Sequence, residues 1–169
     1  AERHRRRMIV LGIDPGLTGG MAVVKAGDRP TLLGAADIPT TGADAKRWVN
    51  VPAVLEWIRR FEPVHAFIER AQAMPDQGSS SGFIYGRAVG ALETCVDGLL
   101  IPLTVIESSA WKKAHGLLKC GKEDSRQRAI RLFPGTRFFE RKMDHNVAEA
   151  ALIAWYGIML ADGFGAPPP

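Results

Sequence analysis

The chain has 169 residues, 46% hydrophobic and 24% charged, which fits one compact domain and excludes a two-domain enzyme with a separate cofactor lobe. Lys and Arg outnumber Asp and Glu 22 to 18, a net charge of +4 that leans toward a polyanionic partner. Cys95 and Cys120 lie 25 positions apart with neither disulfide-framework nor zinc spacing, and no apolar run approaches the roughly 20 residues that cross a bilayer, so neither a cysteine scaffold nor a membrane partner is expected.

Residues 1–7 are Arg-rich and are expected to form a flexible basic leader; 8–162 are expected to fold as one domain, and 163–169 to be a Pro-rich tail. From Met8 to Asp14 a nearly continuous apolar run closed by Pro15-Gly16 predicts a strand buried on both faces. Gly19 to Lys25 and Thr31 to Ile38, separated by a turn cluster, complete an antiparallel meander. Asn50 caps a predicted helix with Val54, Leu55, Ile58 and Phe61 at helical spacing, stopped by Pro63. A strand over His65 to Glu69 follows directly. Gly82 to Asp97 reads as a helix with Gly82, Gly86 and Gly90 along one line, which lets another backbone approach closely. Ile101 to Ile106 is the last strand; Ser108 opens a helix ending near His115-Gly116, and Asn146 to Ala161 is a final amphipathic helix. The order predicts one α/β domain: a mixed sheet, antiparallel meander plus parallel strands, with helices on both faces.

Between Lys112 and Lys142 ten basic residues face three acids, an excess of seven, so the rest of the chain is net −3. The positive charge is concentrated as a phosphate backbone would require.

Three acidic positions carry the chemistry. Asp14 and Glu69 each end an apolar strand, and an ionised carboxylate in such a place needs a cationic partner. Two of them side by side repel, and a divalent ion neutralises both; oxygen-only ligation favours magnesium or manganese over zinc. The third contribution comes from Asp144-His145-Asn146-Val147-Ala148-Glu149. Asp144 and Glu149 are five apart and cannot share a helix face, so Asp144 must stand in the pre-helical turn to join the site. His145 and Glu149 are four apart and do share one, which makes His145 a rival ligand or a water-orienting base. The same residues admit plainer roles: a turn-forming Asp14, a surface ion pair at Glu69, an N-cap at Asp144.

The chain resembles the RuvC family of Holliday junction resolvases, which have the ribonuclease H fold. The matching pieces are Gly12-Ile13-Asp14-Pro15-Gly16 with Thr18-Gly19, Ile68-Glu69, Gly86-Arg87-Ala88-Val89-Gly90, Trp111-Lys112-Lys113 and Ala148-Glu149-Ala150-Ala151-Leu152. They span Met8 to Gly157. Where the family's terminal motif has Asp or His three positions before Asp, this chain has Asn146 and Glu149; Asp144-His145 with Glu149 is more similar to the chloroplast resolvase branch. The resemblance implies a five-stranded ribonuclease H-like sheet and a homodimer. Each subunit would hold two magnesium ions, replaceable by manganese, and cut one of two symmetry-related strands of a four-way DNA junction to leave 5′-phosphate and 3′-hydroxyl ends. It implies Asp14 bridging the metals, with Glu69, Asp144 and Glu149 completing the cage.

Under that resemblance Lys112, Lys113, Lys119, Lys122, Arg126 and Arg128 are expected to contact DNA backbones, Lys122 and Arg126 foremost. The loop after the second acid, with Met74, Gln77 and Ser80, is expected to enter the junction. Phe83 is either a stacking wedge or a core residue, the core role being favoured. The Gly82, Gly86, Gly90 line fits packing inside the subunit or across a dimer axis, and two sites acting on one substrate favour the dimer. Other readings are an actin-like kinase, which needs two lobes where this chain has one, a nuclease of the same fold acting on RNA–DNA hybrid or other branched DNA, and a junction-binding protein without catalysis. No small-molecule substrate is expected. A bacterial or phage-infected cytoplasm is the default location, with an organellar matrix or stroma as the alternative.

Overall fold

A computed structural model of the chain describes residues 8–72 and 78–161. The leader, the tail, Met74 and Gln77 lie outside the described residues. Three strands open the fold, β1 (Ile9–Asp14), β2 (Gly20–Lys25) and β3 (Thr31–Asp37), followed by a two-stranded ribbon, β4 (Thr40–Thr41) and β5 (Trp48–Val49). Then come α1 (Val51–Arg59), β6 (His65–Glu69), α2 (Ser79–Gly98), β7 (Leu103–Ile106), α3 (Ser108–Ala114), α4 (Lys122–Leu132) and α5 (His145–Ala161). The main sheet runs β3-β2-β1-β6-β7. β1, β2 and β3 pair antiparallel, while β6 and β7 add in parallel to β1. This is the mixed five-stranded sheet with flanking helices expected of a ribonuclease H-like fold. Among the described residues no helix is long and apolar enough to cross a membrane.

Alternation along the strands sorts the side chains into two cores. Val10, Ala22, Val24 and Phe67 pack on one face with Trp111 and the small, apolar face of α5. Leu11, Ile13, Met21, Val23 and Ile68 pack on the other with α1 and α2. Two glycines set how closely α5 lies on the sheet. A Cβ at Gly12 would stand 2.1 Å from the Ala150 carbonyl oxygen, and one at Gly20 2.7 Å from the Asn146 carbonyl oxygen. Only hydrogen fits there, so the backbone of α5 rests on β1 and β2.

Several boundaries differ from the sequence reading. The β4–β5 ribbon was not anticipated, because two-residue strands are too short to show alternation. α2 starts at Ser79 rather than Gly82: serine-rich composition reads as loop, yet Ser is tolerated in a first helical turn. β7 starts at Leu103 rather than Ile101, since Pro102 has no N–H to give the sheet, although its carbonyl accepts from Ala66 at 2.9 Å. The glycine line of α2 does not serve packing inside the subunit. A Cβ at Gly82, Gly86 or Gly90 would meet nothing within 4 Å, and the stripe faces outward.

Candidate active site

Asp14 and Glu69 are the last residues of adjacent parallel strands. Ile13 pairs with Ile68, so the two acids occupy the next rung, on strands about 4.8 Å apart. By alternation both point to the face covered by α5, as Phe67 does. The turn after Asp14 is tight: Gly16 has φ +129°, Gly19 N–H donates to the Gly16 carbonyl at 3.1 Å, and a Cβ at Gly19 would collide with the Asp14 carbonyl oxygen. Asn146 ties the start of α5 to this turn through a hydrogen bond from its amide to the Thr18 carbonyl. With α5 seated at Gly12 and Gly20, its second turn brings Glu149 beside the two strand-end acids.

The electrostatics register the convergence. Burial pushes the Asp14 carboxyl well above the usual carboxylate range, and the negative charges of Glu149 and Glu69 push it further; Lys122 and Lys112 pull it back. Glu149 is raised as well, first by burial, against the Ser125 hydrogen bond and the Lys112 charge that lower it. Three acids and two lysines therefore share one site at the end of the sheet.

Neighbouring side chains hold the acids in place. The Trp111 indole N–H, fully buried, donates to Glu69 Oε2 at 2.6 Å. The Ser125 hydroxyl donates to Glu149 Oε1 at 3.0 Å. Lys122 Nζ donates to His145 Nε2 at 3.2 Å, and His145 Nδ1 lies 3.3 Å from the Lys142 carbonyl, so the imidazole carries its proton on Nδ1. Tyr85 of α2 lays its ring 3.5 Å from where a Gly16 Cβ would stand, and its hydroxyl is pushed up by burial, then by Asp14 and Glu69.

Asp144 stands apart from this group. Its carboxylate accepts from the Arg141 backbone N–H and side-chain Nε, both at 2.8 Å, and pairs with the Arg141 guanidinium at 2.7 Å. It closes the short 3₁₀ turn Lys142–Asp144 that leads into α5 from the third position of that turn, reaching back to the Arg141 N–H, rather than as the N-cap weighed as its plainer alternative. The turn that was to carry Asp144 into the site instead turns it toward Arg141.

Oxygen donors on desolvated, mutually repelling carboxylates fit a hard divalent cation. Among the described residues no group of three His, Cys, Asp or Glu side chains stands close enough to hold an ion as placed. The hydrogen bonds from Trp111 and Ser125 occupy one oxygen each of Glu69 and Glu149, so the donor set is compatible with such an ion but is not drawn into a cage.

The expected DNA-contact residues divide. Lys113, Lys119 and Lys122 are exposed, and Lys112 is half-buried with its ammonium 5.2 Å from the Trp111 ring centre. Ser80 is exposed in the first turn of α2. Arg126 is a correction: it is buried, its guanidinium spans both Glu123 oxygens and the Phe139 carbonyl, and it cannot reach a backbone in solvent. Arg128 is half-buried, its Nε shut from solvent beside His115. Phe83 is 73% exposed, which excludes the core role favoured for it. Sequence reasoning missed Trp111, Ser125 and Tyr85 as site neighbours; Trp111 had a signal, being the one large aromatic at the head of the basic segment.

No protein-family model matches the chain, and no curated protein sequence matches it significantly. Solved structures do. The chain is similar to T. thermophilus RuvC in complex with Holliday junction substrate, with a TM-score of 0.72 at 24% identity over 96% of this chain and 100% of that one. A second Thermus thermophilus RuvC structure gives 0.69 at 23% identity, over 95% and 100%. The yeast mitochondrial Holliday junction resolvase Ydc2 gives 0.58 at 15% identity, over 90% and 80%. At these identities the likeness establishes a shared fold.

Proposed function

We propose that the chain is a structure-selective endonuclease that resolves four-way DNA junctions by paired, symmetric nicks. The observation that carries the reading is the meeting of Asp14, Glu69 and Glu149 at the sheet end, with the charges of Lys112 and Lys122 acting on Asp14 and Glu149. Its support is a fold aligned over 96% of the chain with a RuvC bound to a Holliday junction. Asp14, Glu69 and Glu149 would hold magnesium or manganese, two ions per site. When bound, such ions lower the pKa of the attacking water and stabilise the leaving 3′-oxygen.

The chain's own groups do the remaining work. The Lys112 and Lys122 ammonium groups meet the phosphate charge. Trp111 and Ser125 fix the orientation of Glu69 and Glu149 and keep water off one oxygen of each. His145, with Nδ1 protonated and Nε2 accepting from Lys122, can release that lone pair to a substrate water once Lys122 moves to a phosphate. Exposed Lys113 and Lys119 give salt-dependent affinity. Two cuts on one symmetric substrate require two sites facing it, and the outward Gly82, Gly86, Gly90 stripe is the close-approach surface by which two copies would pair.

The test incubates wild type and Asp14→Asn with mobile and static four-way junctions, duplex and RNA–DNA hybrid in magnesium. Paired cuts near the crossover with 5′-phosphate ends are expected, lost in Asp14→Asn while junction binding persists. Magnesium should raise the melting temperature of wild type and not of Asp14→Asn, a readout independent of cleavage. Equal nicking of plain duplex is fatal to the reading.

A further inference from the structure

A cleft of about 630 Å³ opens between the β4–β5 ribbon, the first turn of α1 and the N-terminal half of α2. One lining residue is Leu17, from the turn that begins at Asp14. Ile84 lines the cleft, and the next residue, Tyr85, packs against Gly16 of that same turn. One turn thus carries residues of both the cleft and the carboxylate site.

Its lining combines two properties. Lys46, Arg47 and Arg87 contribute three cations, and no carboxylate is among the lining residues. Arg47 is held by the Leu17 carbonyl at 2.9 Å, and the Arg87 guanidinium lies 5.6 Å from the centre of the Trp48 ring. Two large aromatic side chains stand at the rim in solvent, Trp48 41% and Phe83 73% exposed, over a floor that includes buried Val49 and Ala88. Cations suit a phosphate backbone, and exposed aromatic faces over an apolar floor suit bases lacking a stacking partner. A duplex, its bases already stacked, leaves those faces idle. A second copy docking symmetrically by this cleft would set the three cations near their own kind without an acid to offset them.

We propose that this cleft receives unpaired nucleotides of the DNA beside the cutting site, a base stacking on Trp48 and Phe83 and a phosphate held by Lys46 and Arg87. The inference rests on the nuclease reading and assigns that site a second, base-stacking subsite. The test uses the full chain without metal and a fluorescein-labelled oligothymidylate, followed by anisotropy. Trp48→Ala and Phe83→Ala should each weaken binding about fivefold to 150-fold, the span of one lost base stack, with circular-dichroism melts unchanged for these exposed positions. Arg87→Gln should lower the salt slope by about one. Photo-crosslinking with 5-iodouracil should mark the peptides carrying Trp48 or Phe83. Oligothymidylate affinity within twofold of wild type, with crosslinks only elsewhere, overturns the subsite. Halving of the solution mass by Trp48→Ala also overturns it, by making the cleft a subunit contact. Wild-type cleavage and binding of junctions, run in parallel, report on the nuclease reading separately: a wild type that neither binds nor cuts any junction fails there, whatever the oligothymidylate result.

Discussion

Lowering the pH from 7 to 4.5 should destabilise the fold through one imidazole, His115. It is 6% exposed at the end of α3, edge-on to Trp111, with Nε2 3.0 Å from the Leu152 carbonyl. A carbonyl only accepts, so the neutral ring carries its proton on Nε2 and leaves Nδ1 bare, with no partner among the described residues. Protonating Nδ1 would bury a charged donor near Arg128. Burial chiefly, with the Arg128 charge adding and the Leu152 bond opposing, lowers the pKa from 6.5 to about 4. A histidine whose folded pKa lies below its unfolded value binds more protons unfolded, so stability falls as pH drops through 6.5 and the loss levels off near 4. At about 1.36 kcal/mol per unit, the full difference is about 3 kcal/mol, of which about 2 falls between pH 7 and 4.5. For a chain of this size that is about 4–8 °C in melting temperature. Asp14 and Glu149, raised in the fold, act with the opposite sign, so the measurement is a difference: urea unfolding of wild type and His115→Gln across the range. The gap between the two proteins should shrink by about 2 kcal/mol toward acid pH. A gap that stays constant, or an imidazole titrating near 6.5 by NMR, refutes the reasoning.

Four further outcomes follow from named positions. Asp14→Asn should raise the metal-free melting temperature by about 2–6 °C in a thermal scan, because an acid held above its usual pKa by burial and like charges costs stability when ionised. Arg126→Ala should cost about 2 kcal/mol in urea unfolding, by stranding the buried Phe139 carbonyl, and leave the salt slope of junction binding unchanged. Gly12→Ala should cost about 3 kcal/mol or more, its Cβ standing 2.1 Å from the Ala150 carbonyl oxygen, whereas Gly86→Leu should keep the monomer fold and halve the mass seen by light scattering.

What was legible in the sequence was local. A β-branched run ended by Pro15-Gly16 announces a buried strand and puts Asp14 at its end, and the same logic locates Glu69; both need only the chain's own periodicity. Much of what was not legible required a partner distant in sequence. Gly12 reads as part of a motif, but its use as the seat for Ala150 depends on a helix 138 residues away. Trp111 and Ser125 lie 42 and 24 positions from the carboxylates they orient. Arg126 shows the opposite error. Charge density over 112–142 is the same whether an arginine faces solvent or the interior; Glu123, three residues back, lies in the same helix, but the Phe139 carbonyl, 13 ahead, comes within reach only once the chain after α4 folds against it. Asp144 failed through an i,i−3 partner: Arg141 lies within its own turn and takes the carboxylate before the site can.

The fold spends its small residues at Gly12, Gly20 and the alanines of α5 to press one helix onto the sheet, and the consequence is that Glu149 is forced toward two acids that already repel. Burial raises the cost of each charge. Lys112 and Lys122 offset part of that cost, yet both are long, flexible side chains at the ends of short elements, and Lys122 is engaged with His145. In the proposed nuclease, a compact ion of double charge held by Asp14, Glu69 and Glu149 would offset it more completely than two ammonium groups and would leave the lysines to a phosphate. Under the proposed function, the same repulsion that destabilises the metal-free protein would provide the affinity for a cation, and the two effects should scale together. In a series of Glu69→Gln, Glu149→Gln and Asp14→Asn, the variants that gain most melting temperature without magnesium should be those that lose most of their magnesium-induced shift. No correlation between the two would mean that the acids are held by their hydrogen-bond partners alone, and that their convergence has no bearing on metal.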